Sequence, residues 1–281
     1  MKNIEEKSFE VLFLVLALSS LSVLALITVF IFIKGLPIIA NVGLLNFVFG
    51  MKWAPSQGAF GIFPMIVGSV SVTLGAAILG VPIAICCSIF LAEFAPVTLR
   101  NIFRPAIQLL AGIPSVVYGF WGVLFIVPMI RNYLGGPGLS ILAGSIILAI
   151  MILPTIISIT EVSLLALPRH YKEGGLSLGL THWQTIHSLL LPAAKSGIVS
   201  AIILGIGRAI GETMAVIMVL GNAVAIPESV LDPVRTLTTN IGIEMGYASG
   251  QHQQALFATG IVLFIIIMIL NAIAQYITRK K

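Results

Sequence analysis

Charge is what this chain has least of. Only 9% of its 281 residues are Asp, Glu, Lys or Arg, against roughly 25% in a soluble domain, so it lacks the polar surface to face water all round. Cysteine is almost missing. Cys86 and Cys87 are adjacent within an apolar run, where neighbours rarely meet disulfide geometry and two sulfurs make no metal site, so both are expected to be packing residues. No G-x-x-x-x-G-K-[ST] loop occurs, which leaves nothing to cradle nucleotide phosphates. Nor is there a nucleophile–base pair, and His170, His182 and His187 share one connection without the spacing of a zinc site. No enzymatic activity, cofactor or metal is expected on this chain.

What is present is apolar length. Val11 to Ile33, Pro105 to Ile130 and Ala255 to Thr278 are uncharged, and each exceeds the roughly 20 residues a helix needs to cross the hydrocarbon core. Backbone groups in lipid must be paired internally, and the alternation of a barrel strand is absent, so the runs are predicted to be helices. Spans are expected at about 9–34, 63–91, 104–130, 139–160, 196–220 and 255–278. The first run is too long, and too closely preceded by acidic residues, for a cleaved signal peptide.

The net charge of +5 gives no reason to expect nucleic acid, because of where it falls. Lys2, Lys7, Arg100, Arg104, Arg169, Lys172, Lys195, Arg279, Lys280 and Lys281 occupy the termini and alternate connections; the other connections hold Lys34, Lys52, Arg131 and Arg235. That asymmetry places both termini and residues 161–195 in the cytoplasm, and 35–62, 131–138 and 221–254 outside.

Several spans carry breakers: Pro82, Pro114 and Pro154, with Gly80, Gly112 and Gly119 nearby. A proline inside a membrane helix frees a carbonyl that must be covered by protein or face a wet cavity. Gly207 and Gly211, with Gly205 before them, are expected to let span five approach a neighbouring helix. Together they point to a bundle around a pathway.

The connection between spans four and five holds the most specific pattern. Pro168 suits a helix start, Gly179 a positive-φ position after a helix, and Thr181 with Gln184 a capping box. The expected form is helix, glycine turn, helix. Gly174 and Gly175 cost about 1 kcal/mol each in a helix interior, a cost that close approach by another chain would explain. Glu173-Gly174-Gly175, Gly179 and Leu189-x-Leu191-Pro192 resemble the EAA loop of ABC-importer permeases, with Gly-Gly in place of Ala-Ala and Leu189 where Ile is common. The resemblance implies that Glu173, Gly174, Gly175, Leu176, Gly179 and Pro192 form a coupling helix against a separate ATPase.

Within span five, Arg208 and Glu212 stand four residues apart, expected to share one helix face. Intramembrane charges usually face the bundle interior and work there, and a guanidinium is suited to oxyanions. A self-neutralising structural pair is the alternative. Gly205 to Val216, Gly112 to Phe120 and Asp232 to Thr238 are similar to stretches of the C-type permeases of Pst phosphate importers, a likeness running from about Trp53 to the C-terminus. It implies an all-α membrane protein of six transmembrane helices, a type I ABC-importer bundle with a cytoplasmic coupling helix. Residues 1–62 would hold the first helix and an outer loop, and 63–278 the permease core with coupling loop 161–195. It implies a substrate pathway of Arg208, Glu212, Thr213, Ser115 and Tyr118, and a bacterial plasma membrane location. The partners it implies are a second permease, an ATPase dimer that binds ATP–Mg, and an extracytoplasmic phosphate-binding protein. An ion-coupled carrier or channel would account for Arg208 and Glu212 but not for the loop.

Overall fold

The computed structural model describes residues 2–279, with side chains from Phe9 onward apart from 274, 278 and 279. Lys280 and Lys281, and the side chains of Lys2, Lys7 and Arg279, on which part of the orientation argument rests, therefore lie outside the described residues.

Helices dominate, as unpaired backbone in lipid requires. Helix α1 (Lys2–Val42) is followed by α2 (Leu44–Phe49) and a small hairpin in which β1 (Trp53–Ala54) pairs antiparallel with β2 (Ala59–Phe60). Helix α3 (Phe63–Ile89) ends in a wider π-type turn over Phe90–Phe94. Next come α4 (Val97–Gly112), α5 (Ser115–Trp121), a second π-type turn over Gly122–Ile126, and α6 (Val127–Tyr133). Helix α7 (Ile141–Leu165) leads into a helical loop of α8 (Arg169–Ser177), α9 (His182–Thr185) and α10 (Leu191–Ala193). The chain finishes with α11 (Lys195–Ile210), α12 (Met214–Val219), α13 (Leu237–Glu244) and α14 (Gly250–Arg279).

Among the described residues, five segments are long and apolar enough to cross a bilayer alone: Phe9–Val42, Phe63–Phe94, Ser115–Tyr133, Ile141–Leu165 and Gly250–Ile277. A sixth is reached by joining His182–Ala193 to Lys195–Ile210, which meet at 71°. Three expectations need correction. The first helix does not stop near residue 34 but continues to Val42, because Gly35 lies against the backbone of Ala258 on α14 and the pair stays packed. The 104–130 run is not one helix. Ile113 and Pro114 are extended, since proline cannot donate and disfavours helix in the residue before it, so α4 is a separate amphipathic helix with no buried residue. The 196–220 run is also broken, at Gly211–Thr213, leaving α11 about 24 Å long.

The core lies where α3 and α7 pack side by side. Val72, Ala76, Ile147, Leu148, Ile152 and Ile156 are fully buried there, and Ser145 donates to the Val72 carbonyl at 3.3 Å. Ala215, Val216 and Val219 bring α12 onto the same cluster. Between helices in lipid such packing is itself the driving force. Helix α1 leans on α14 through Phe30 and Phe257, whose rings sit 5.6 Å apart.

Candidate functional site: a broken-helix pathway and a helical loop

The two helix breaks belong to one place. Gly119 on α5 sits so close to α12 that a Cβ there would lie 2.9 Å from the Ala215 Cα. Ser115 starts α5 one turn before that crossing, and Thr213 precedes α12 just ahead of Ala215, so both interruptions flank it. Arg208 occupies the last turn of α11, leading into the same break.

Arg208 is half-buried, and its Nη1 reaches the Thr155 hydroxyl of α7 at 3.5 Å. The expected pairing with Glu212 along one helix face is not formed. The helix ends at Ile210, so the four-residue geometry is lost, and no ion pair joins the two among the described residues. The Glu212 carboxylate instead accepts the Ala215 backbone N–H at 3.2 Å, capping α12, and its carbonyl accepts the Thr238 hydroxyl at 2.8 Å. Thr213 donates to the Gly211 carbonyl at 3.5 Å and packs against Gly242.

Tyr118 is buried and donates to the Leu110 carbonyl at 2.8 Å, stapling α4 to α5 across the Pro114 break. Ser115 is half-buried at the start of α5. Ser115, Tyr118 and Thr213 thus flank the crossing of α5 and α12, with Tyr118 committed to structure, and Arg208 lies in the helix that leads into the break. The glycine expectation changes as well. Gly205 is the close-approach position, against Ile156, whereas Gly207 beside Arg208 faces open space.

The helical loop forms as its residues dictate. Pro168 caps α8, Gly179 has φ of 83° after it, and Thr181 and Gln184 close the capping box that starts α9. Pro192 sits in α10, next to the 71° bend. Gly175 does not await a second chain: it is buried by Thr185 and Leu189 of the same loop, where a Cβ would lie 2.8 Å from the Leu189 Cδ1. Gly174 is the open one. Glu173, Gly174, Leu176 and Leu178 form the exposed side, with Leu178 85% exposed at the tip.

Three clusters escaped the sequence reading because their members are far apart in the chain. Arg104 pairs with Glu161 at 2.8 Å, Lys172 and His182 converge on Glu93, and Arg235 meets Glu244, which also accepts from the distant Trp53. The one available signal was an acid, Glu93, in an otherwise basic connection.

Residues 84–281 match the family model described as "Binding-protein-dependent transport system inner membrane component". The chain belongs to that family of permeases. It is 39% identical over 262 residues to a "Probable ABC transporter permease protein YqgH" of Bacillus subtilis, covering 91% of this chain and 85% of that one. It is 35% identical over 255 residues to the "Phosphate transport system permease protein PstC" of Pasteurella multocida, covering 84% of this chain and 80% of that one. Among solved structures, it superposes on a chain of the inward-facing MetNI methionine ABC transporter with a TM-score of 0.60 at 20% identity, covering 81% of this permease and 98% of that chain. A bacterial alginate ABC transporter gives 0.62 at 15% identity, with 93% and 94% covered. The fold is therefore the type I ABC-importer permease fold, as expected.

Proposed function

We propose that this permease is one membrane subunit of an ATP-driven importer of inorganic phosphate. The observation that carries the reading is Arg208, a half-buried guanidinium in the last turn before the break in its span, whose side-chain hydrogen bond among the described residues is a single one of 3.5 Å to Thr155. A fork of donors left largely free matches the oxygens of an oxyanion. The naming of several relatives as phosphate permeases supports phosphate among the oxyanions. Ser115 and Thr213 stand beside the same crossing as hydroxyl donors, while Glu212 holds the start of α12 in place.

In this reading both termini and the α8–α10 loop face the cytoplasm of a bacterial cell. A second, different permease completes the pathway, and a loaded phosphate-binding protein docks on the outer loops. The exposed side of α8, with Glu173, Gly174, Leu176 and Leu178, seats on one subunit of an ATPase dimer. ATP–Mg belongs to that dimer and not to this chain. Closure of the ATPase pair moves the loop and alternates access to Arg208. The test is reconstitution of all subunits in proteoliposomes. ATP hydrolysis stimulated by the phosphate-loaded binding protein, with phosphate uptake that sulfate does not displace, is the expected result. Uptake without ATP would instead fit an ion-coupled carrier, and displacement by sulfate another oxyanion.

A further inference from the structure

The turn that ends α3 does more than terminate a span. Phe90–Phe94 widens to a π-type turn, and Arg100 closes it by donating Nε to the Leu91 carbonyl at 2.9 Å and Nη2 to the Ala92 carbonyl at 3.0 Å. This fixes Glu93 pointing towards the helical loop, with its side chain only 9% exposed. A carboxylate so buried needs compensating charge. That charge comes from Lys172 of α8 at 2.5 Å, and His182 of α9 brings its Nε2 to 3.4 Å from the same Oε2, so both arms of the loop meet the carboxylate. The Phe94 ring packs on the His182 ring at 4.9 Å. Arg169 and Glu173 line the same recess of about 320 Å3, but neither pairs with Glu93 among the described residues.

By covalent connection the loop hangs only from α7 and α11. Glu93, beside Ile89 and Ala92 packed on Ile186 and Leu190, gives it a third attachment, to a helix separated from it by more than seventy residues of chain. Helix α3 packs along α7 and touches α11, and α7 carries Thr155, the partner of Arg208. We propose that Glu93 is a positioning residue that latches both arms of the loop to the end of α3, so that movement imposed on the loop reaches the pathway through α3. This rests on the importer reading above, since it requires an ATPase that moves the loop.

The complete complex in proteoliposomes tests it through the amount of phosphate imported per ATP hydrolysed. Glu93→Gln should keep ATP hydrolysis but lower that ratio about tenfold, within the usual range of coupling between sites. Lys172→Met, changed on the exposed side of the pair, should do the same and serves if Glu93→Gln fails to assemble. The charge exchange Glu93→Lys with Lys172→Glu should restore most of the ratio, which ties the effect to the ion pair rather than to either side chain alone. An unchanged ratio in both single variants, or an exchange variant that assembles and stays uncoupled, overturns the latch.

A second measurement is independent of the solute. Spin labels are placed at the exposed positions Ser177 and Ile78, with Cys86 and Cys87 replaced by serine. Their separation should stay constant on addition of ATP and vanadate in the otherwise native complex, and become nucleotide-dependent in Glu93→Gln. Identical behaviour in the two complexes overturns the latch. Failure of the phosphate reading shows differently, as a native complex that imports no phosphate while the label result still stands.

Discussion

Two arginines on either side of α12 use the same side chain in opposite ways. Arg235 is 16% exposed and donates to the Asn222 carbonyl at 3.1 Å, to Asn240 Oδ1 at 3.1 Å and to Glu244 Oε1 at 2.6 Å. The other Glu244 oxygen accepts Trp53 Nε1 and meets His252 Nε2, both at 2.8 Å. One ion pair thus ties the β1 strand, the segment before α13 and the first turn of α14. Arg208, by contrast, makes one side-chain hydrogen bond among the described residues, at 3.5 Å to Thr155. A guanidinium has five N–H donors, and leaving them uncommitted inside a membrane protein is costly unless something else arrives to take them. Arg235 is fastened by its own chain. Arg208 is not so fastened among the described residues.

The contrast breaks first, and most strongly, at Glu244. Glu244→Ala leaves Arg235 buried without its carboxylate, and removing one partner of a buried pair costs about 3–5 kcal/mol. The thermal midpoint of the assembled complex should fall accordingly, with uptake lost because protein is lost. A midpoint that stays put would mean that Arg235 is no more committed than Arg208.

Arg208→Ala should do the reverse. Losing charged hydrogen bonds to an anion is worth about 1.5–3 kcal/mol, or roughly a 10- to 100-fold fall in phosphate uptake per assembled complex, with the thermal midpoint almost unchanged. Arg208→Lys keeps the charge without the planar fork and should fall between. A drop in stability matching the drop in uptake would place Arg208 with Arg235 as scaffolding.

How much of this was legible depends on which residues are compared. The apolar runs, the capping box at Thr181 and the positive φ of Gly179 are local features, and the chain adopts them as its sequence indicates. Prolines were less transparent. Pro82 and Pro154 lie within continuous helices, whereas Pro114 ends one, and all three sit in similar apolar surroundings. Neighbouring helices bury Pro154 and α3 and α7 sheath one another, so the helix there persists; α4 has no buried residue and nothing to hold it in line past Pro114. The break at Gly211 was hidden by a pattern that mimics a helical ion pair. What separates the readings is the capping bond from Glu212 to the Ala215 N–H, which spacing alone does not distinguish from a pairing with Arg208. The Glu93 and Glu244 clusters join residues remote in sequence, and only the packed helices bring them together.

The same distinction between committed and open positions recurs at two adjacent glycines of the loop. Gly175 is filled in by Thr185 and Leu189, so Gly175→Trp should overpack the loop at about 1–3 kcal/mol and lower the thermal midpoint. Gly174 faces open space, so Gly174→Trp should leave the midpoint alone and weaken retention of the ATPase on purification. Equal effects on stability would deny that the two differ. Unaltered ATPase retention in Gly174→Trp would move the docking surface elsewhere.

The smallest expected effect is at Glu212, and it sharpens the comparison most finely. The carboxylate serves α12 as an acceptor for the Ala215 N–H, and an amide oxygen can accept the same bond. Glu212→Gln should therefore leave both the thermal midpoint and phosphate uptake close to native. Glu212→Ala removes the cap and should cost about 1 kcal/mol, the usual price of a lost N-terminal acceptor. Since no ion pair links Glu212 to Arg208 among the described residues, the double variant Arg208→Ala with Glu212→Gln should transport no better than Arg208→Ala alone. Recovery of uptake in the double variant would show that the two charges neutralise each other in the working transporter, and that Arg208 is fastened after all. A loss of uptake in Glu212→Gln as deep as in Arg208→Ala, with stability intact, would assign the negative charge itself to the pathway, as an acceptor for the proton of a partly protonated oxyanion.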